Sequence, residues 1–129
     1  MVYSQDEKEK MNLLLEMFQS FLREQNYFDI VYSEKLGYLR IVPGNEHSDD
    51  QVFRISNFDE LLSCLVDDMI FDRMYPNFTP TPSPVDFEEV RRLCESKLCF
   101  TPKENRHSME IIDSCIKKWN QELPSNLTL

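Results

Sequence analysis

Glycine is scarce in this chain. Gly37 and Gly44 are the only two in 129 residues. That scarcity excludes a glycine-rich phosphate loop and a Gly-x-Ser-x-Gly nucleophile elbow, because each needs at least two glycines at a fixed spacing that Gly37 and Gly44 do not have. Positive charge is scarce as well. Fourteen Lys and Arg stand against 23 Asp and Glu, giving a net charge of −9 and a pI near 4.7. Nonspecific nucleic-acid binding draws on basic residues that displace counterions from phosphates, so nucleic acid is not the expected ligand. The same sign argues against docking on anionic membranes. Long apolar runs are missing too, and none approaches the ~20 residues that span a bilayer. Met1 to Lys10 is polar and acidic, without the basic start and apolar stretch of a secretion signal. A cytoplasmic location is therefore expected.

The four cysteines, Cys64, Cys94, Cys99 and Cys115, are read in that setting as reduced and mostly buried. Their spacing does not suggest a metal. Cys94 and Cys99 give C-x4-C, at the edge of the structural-zinc range, and His107 and Cys115 are eight apart. Cys94 and Cys115 also lie on apolar helical stripes, where packing accounts for them. Glu46-His47-Ser48-Asp49-Asp50 carries oxygen ligands without the spacing or central glycine of a calcium loop. Neither a metal nor a cofactor is expected.

What is present is apolar and periodic. Hydrophobic residues make up 41% of the chain and aromatics 12%, enough for a folded core. Met11, Leu14, Leu15, Phe18, Phe21 and Leu22 stripe one helix from about Gln5 to Gln25. The period then shortens. Residues 28–32, 38–42 and 51–55 read as three strands joined by short loops, an antiparallel meander. Phe28, Ile30 and Tyr32 share a face. Leu39 and Ile41 lie opposite Arg40. Phe53 and Ile55 are expected inward and Arg54 outward.

A second helix follows from Asn57 to Tyr75. Asn57 with Glu60 has capping-box spacing, and Ser56 with Asp59 offers the alternative one residue earlier. Phe58, Leu61, Leu62, Leu65, Met69 and Ile70 form its apolar stripe. Asp59, Glu60, Asp67, Asp68 and Asp72 fall mostly off it, and five carboxylates against Arg73 leave a local charge of −4. These five are the candidate partner-binding face, expected to be exposed and to attract a protein with a basic surface.

Residues 76–84 form a proline-rich spacer. Ser83-Pro84 with Asp86, and Thr101-Pro102 with Glu104, are start signals for two further helices. These make a helical hairpin over residues 85–123, with Trp119 on the stripe of the second helix. The whole is expected to be one α+β domain, an α-β-β-β-α core (1–75) followed by that hairpin. The core has the element order of the double-stranded-RNA-binding fold. That fold needs a basic start to its last helix, and here the position reads Asn57-Phe-Asp-Glu60.

Catalytic constellations are weak. Cys99 with His107 has no signature spacing. Asp68 and Asp72 share a helix face at i,i+4 but lack a nameable third ligand. The expected function is a small, non-catalytic protein-interaction module of the inhibitor, immunity or nucleic-acid-mimic type. The alternative is a nucleic-acid-binding regulator that uses the C-terminal hairpin, where seven bases meet eight acids in residues 76–129. A thiol or carboxylate enzyme is the third class.

Overall fold

A computed structural model describes residues 3–25, 27–76 and 79–128. The order is α1 (Gln5–Met17), α2 (Gln19–Glu24), β1 (Asp29–Ser33), β2 (Gly37–Val42), β3 (Gln51–Arg54), α3 (Phe58–Met74), α4 (Phe87–Glu95) and α5 (Pro102–Glu122). The three strands form one antiparallel sheet in the order β1-β2-β3. The fold is α+β, as the periodicities indicate, with a mostly helical C-terminal part. The chain divides into two compact units, residues 1–61 and 62–129, and the boundary lies inside α3. Asn77 and Phe78 of the proline-rich spacer lie outside the described residues.

In the first unit the expected long helix is two helices that meet at Phe18. Its backbone (φ −92°, ψ 9°) leaves the α-helical well, while the Phe18 side chain is fully buried. The ladder barely breaks. Phe18 N–H still bonds the Leu14 carbonyl at 3.0 Å, and Leu22 N–H bonds that of Phe18 at 3.0 Å. Ser4 caps α1 by accepting from Glu7 N–H.

Strand register decides which face of the sheet is covered. Ile30, Arg40 and Phe53 lie opposite one another and share a face with Tyr38. Tyr38 is fully buried, and its hydroxyl meets Asn12 and the Lys8 carbonyl of α1. The helix-covered face is therefore the one that carries Arg40. The opposite face carries Val31, Leu39, Ile41 and Val52. Phe53 corrects the expectation of an inward side chain. It lies on the covered face, but β3 is the sheet edge, and Phe53 remains 49% exposed. All four β3 residues are exposed.

One end of the sheet is closed by a side chain. Ile55 N–H bonds the Tyr38 carbonyl at 2.9 Å, but the return bond is replaced. Tyr38 N–H donates instead to the Tyr3 hydroxyl at 3.1 Å, and that hydroxyl donates to the Ile55 carbonyl. Both backbone groups are satisfied through the phenol. Gly37 makes this fit. Its φ is +82°, and an added Cβ would sit 2.6 Å from the Tyr3 ring.

The second unit is helical. Asn57 caps α3, its Oδ1 accepting from Glu60 N–H at 2.8 Å, so the later of the two expected caps is the one used. The start of α4 is corrected from Ser83-Pro84 to Asp86, which accepts from the N–H groups of Glu88 and Glu89. Thr101 and Glu104 close a full capping box on α5 with Pro102 at the first turn. Arg91 grips Asp113 through two nitrogens, Nε at 2.7 Å, tying α4 to α5. Arg73 to Glu89 at 3.1 Å ties α3 to α4. No helix among the described residues is long and apolar enough to cross a membrane.

Candidate functional site

The five candidate carboxylates do not form one exposed face. Asp59 and Glu60 are exposed in the first turn of α3, where acids also favour the helix dipole. Asp72 is half-buried beside Arg73, at 3.8 Å. Asp68 is buried, with 6% exposure. Asp67 is half-buried, and its Oδ1 accepts the indole N–H of Trp119 at 2.9 Å. From Leu61 to Asp72 every residue of α3 is buried or half-buried. The expectation of a solvent-facing row is thus corrected for Asp67, Asp68 and Asp72 and holds for Asp59 and Glu60. The physical reason is the width of the apolar face. Val66 and Met74 are buried along with the expected stripe, so burial wraps the helix and takes the intervening acids with it.

Around Asp67 the structure builds a small polar cluster. Burial raises the Asp67 carboxyl above the usual carboxylate range, against the opposing pull of Trp119 and Lys118. Burial also pushes up the Cys115 thiol, and the neighbouring Asp67 carboxylate adds to the effect. Cys115, Ser63 and His107 line a cleft of about 330 Å³. A cysteine nucleophile needs a lowered pKa, and this thiol is held the other way. His107 stands eight residues from Cys115 on the same helix, about 12 Å along the axis at 1.5 Å per residue. Cys94 is buried, and its thiol is pushed up to about 12 by burial. Cys99 and His107 are both exposed, and His107 approaches Glu110 at 4.0 Å. Among the described residues, no group of three or more His, Cys, Asp or Glu is placed to hold a metal.

Charge over the two units is more telling. Residues 1–61 hold twelve acids and six bases, a net −6, whereas residues 62–129 hold eleven and eight, a net −3. In the first unit eleven of the twelve carboxylates are exposed, Glu7 being the exception. Glu7 accepts from the Phe58 N–H at 3.2 Å. Three of the six cations are folded back over rings. Lys8 lies 4.4 Å from the centroid of Tyr32, Lys10 is 5.1 Å from Phe58, and Arg40 is 4.9 Å from Phe28. All three are half-buried. Each such contact is worth roughly 0.5–1 kcal/mol at exposed sites, and the three together withdraw half of the unit's positive charge from the open surface.

Sequence reasoning missed this arrangement because a cation–π pair spans elements. Lys8 and Tyr32 are 24 positions apart, and nothing local marks them as partners. It missed the Asp67–Trp119 bond for the same reason. Comparison with protein-family models, curated proteins and solved structures finds no match.

Proposed function

We propose that this protein is a non-catalytic interaction module that binds a protein presenting a basic surface, in the manner of inhibitors, immunity proteins and nucleic-acid mimics. The observation that supports this reading is the sorting of charge in residues 1–61, where carboxylates face water and half of the cations lie over aromatic rings. Such a surface raises the encounter rate with a cationic partner and rejects anionic ones. Asp59 and Glu60 are its members on α3. The alternative, nucleic-acid binding by the C-terminal hairpin, is weakened where hairpin cations are already engaged, as Arg91 is by Asp113.

The test is kinetic. A lysine–alanine peptide serves as a defined basic probe. Asp59→Asn with Glu60→Gln should lower its association rate a few-fold, change its dissociation rate little, and lose the difference in high salt. An association rate unmoved by the double substitution would sink the role given to these two side chains.

A further inference from the structure

We propose that β3 is a self-pairing edge. Two copies of the chain join antiparallel along β3, with Val52 opposite Val52 on a two-fold axis and Asp50 of each copy facing Arg54 of the other.

The backbone pattern sets this up. Ile55 N–H bonds the Tyr38 carbonyl, so by alternation Phe53 and Gln51 are the β3 residues bonded to Arg40 and Val42. Val52 and Arg54 therefore turn their N–H and C=O groups away from β2, toward the open edge. The β1 edge differs. There Ile30 and Tyr32 point outward by the same alternation, and the Ile30 N–H is taken by the carboxylate of Asp29 at 2.8 Å. Edge strands left open invite pairing, and β3 is open along its length. All its residues are exposed, with Val52 at 56%.

Side chains choose the occupant and the register. In a two-fold pairing through Val52, the hydrogen-bonded pairs are Val52 with Val52 and Asp50 with Arg54, twice. Opposite residues in such a pair sit about 5.5 Å apart at Cα, with side chains on one face. Two carboxylate–guanidinium contacts then flank an apolar centre. Ile41 lies beside Val52 in register, so the apolar row Ile41–Val52 runs on across the axis into Val52–Ile41. Moving the axis two residues sets Arg54 opposite Arg54 in one direction and Asp50 opposite Asp50 in the other. Both are destabilising. In the single chain each charged side chain makes one bond to its own backbone, which leaves the second Asp50 oxygen and the Arg54 Nη groups for a partner. Asp50 Oδ1 accepts from Gly44 N–H at 2.7 Å, and Arg54 Nε donates to the Leu36 carbonyl at 2.8 Å. The symmetry is that of a closed, isologous dimer. Its contact is short, which places it among weak, reversible interfaces.

Sedimentation equilibrium of the intact chain tests this, at physiological salt so that repulsion between two chains of net −9 is screened beyond ~8 Å. The expected result is a reversible monomer–dimer equilibrium. Arg54→Asp sets carboxylates against carboxylates, and Val52→Lys sets two ammoniums on the axis. Each should weaken the dimer about tenfold or more while circular dichroism and thermal melting stay near wild type. Asp50→Arg with Arg54→Asp restores opposite charges and should restore the dimer. A chain that is monomeric throughout, disrupting variants without effect, or a folded charge swap that fails to rescue would each overturn the proposal. So would β3 amides that gain protection only when a lysine–alanine peptide is added, since the edge would then belong to a foreign strand. Failure here leaves the charged-surface reading standing, because that rests on Asp59 and Glu60.

Discussion

Trp119 donates its indole N–H to Oδ1 of Asp67 across 2.9 Å, joining α5 to the middle of α3. Asp67 has a carboxyl raised by burial. An acid raised on folding holds its proton more tightly in the folded chain. Its contribution therefore makes stability fall as pH rises from the ordinary value of 3.8 toward the higher folded one, and the loss persists above that. Asp67→Asn keeps an acceptor for Trp119 and removes the titration. Urea unfolding should show Asn ahead of Asp at neutral pH, with the gap closing as pH drops through the Asp67 transition. A gap that is flat or widens on acidification would contradict this. Trp119→Phe removes the indole N–H and part of the ring, and should cost about 1–3 kcal/mol at neutral pH from the lost hydrogen bond and the lost packing together.

Ser108 is buried on α5, and among the described residues its hydroxyl oxygen has no hydrogen-bond partner. A buried hydroxyl without a partner is a liability. Ser108→Ala should raise the stability of the chain by about 1 kcal/mol, read as a higher urea midpoint at unchanged m-value. A loss of stability would show that the hydroxyl is bonded in solution.

Tyr3 completes the end of the sheet through its hydroxyl. Tyr3→Phe should cost about 1–3 kcal/mol, since it strands Tyr38 N–H and the Ile55 carbonyl together. Amide exchange at Tyr38 should accelerate while exchange at Ile55, which keeps its direct bond, changes less. Gly37→Ala should cost on the order of 1–2 kcal/mol through its positive φ alone, and more if Tyr3 is displaced. Equal protection of both amides in Tyr3→Phe would mean that the strands close up without the phenol.

None of the four cysteines is in a disulfide, and their thiols differ in access. Cys99 is exposed, Cys64 and Cys115 are half-buried, and Cys94 is buried. A thiol reagent added to the native chain should modify Cys99 first. Cys94 should react only on the timescale of unfolding, because burial both hides it and holds its thiol near a pKa of about 12. Fast modification of Cys94 in the native chain would contradict its placement.

The elements were legible where the signal is local. Apolar spacing located α3 and α5, and the capping residues Asn57 and Thr101 fixed their starts, because caps act within four residues. The meander followed from short loops between period-two runs. Exposure was less legible, because it depends on what lies opposite. Phe53 alternates like an inward residue yet sits on an edge strand. Asp67 and Asp68 look solvated on a helical wheel, but a helix with Val66 and Met74 also buried leaves no free side over its middle turns. The Lys8, Lys10 and Arg40 contacts with aromatic rings join residues far apart in sequence and leave no periodic trace.

The charged-surface account is tested most directly by two titrations of the isotopically labelled chain, followed by amide chemical shifts. One uses the lysine–alanine peptide and the other a short DNA duplex. The account predicts that the peptide shifts amides in residues 1–61, Asp59 and Glu60 among them, that added salt reverses those shifts, and that the duplex moves nothing. Shifts along α5 on adding the duplex, with residues 1–61 silent to the peptide, would contradict it and assign function to the C-terminal hairpin.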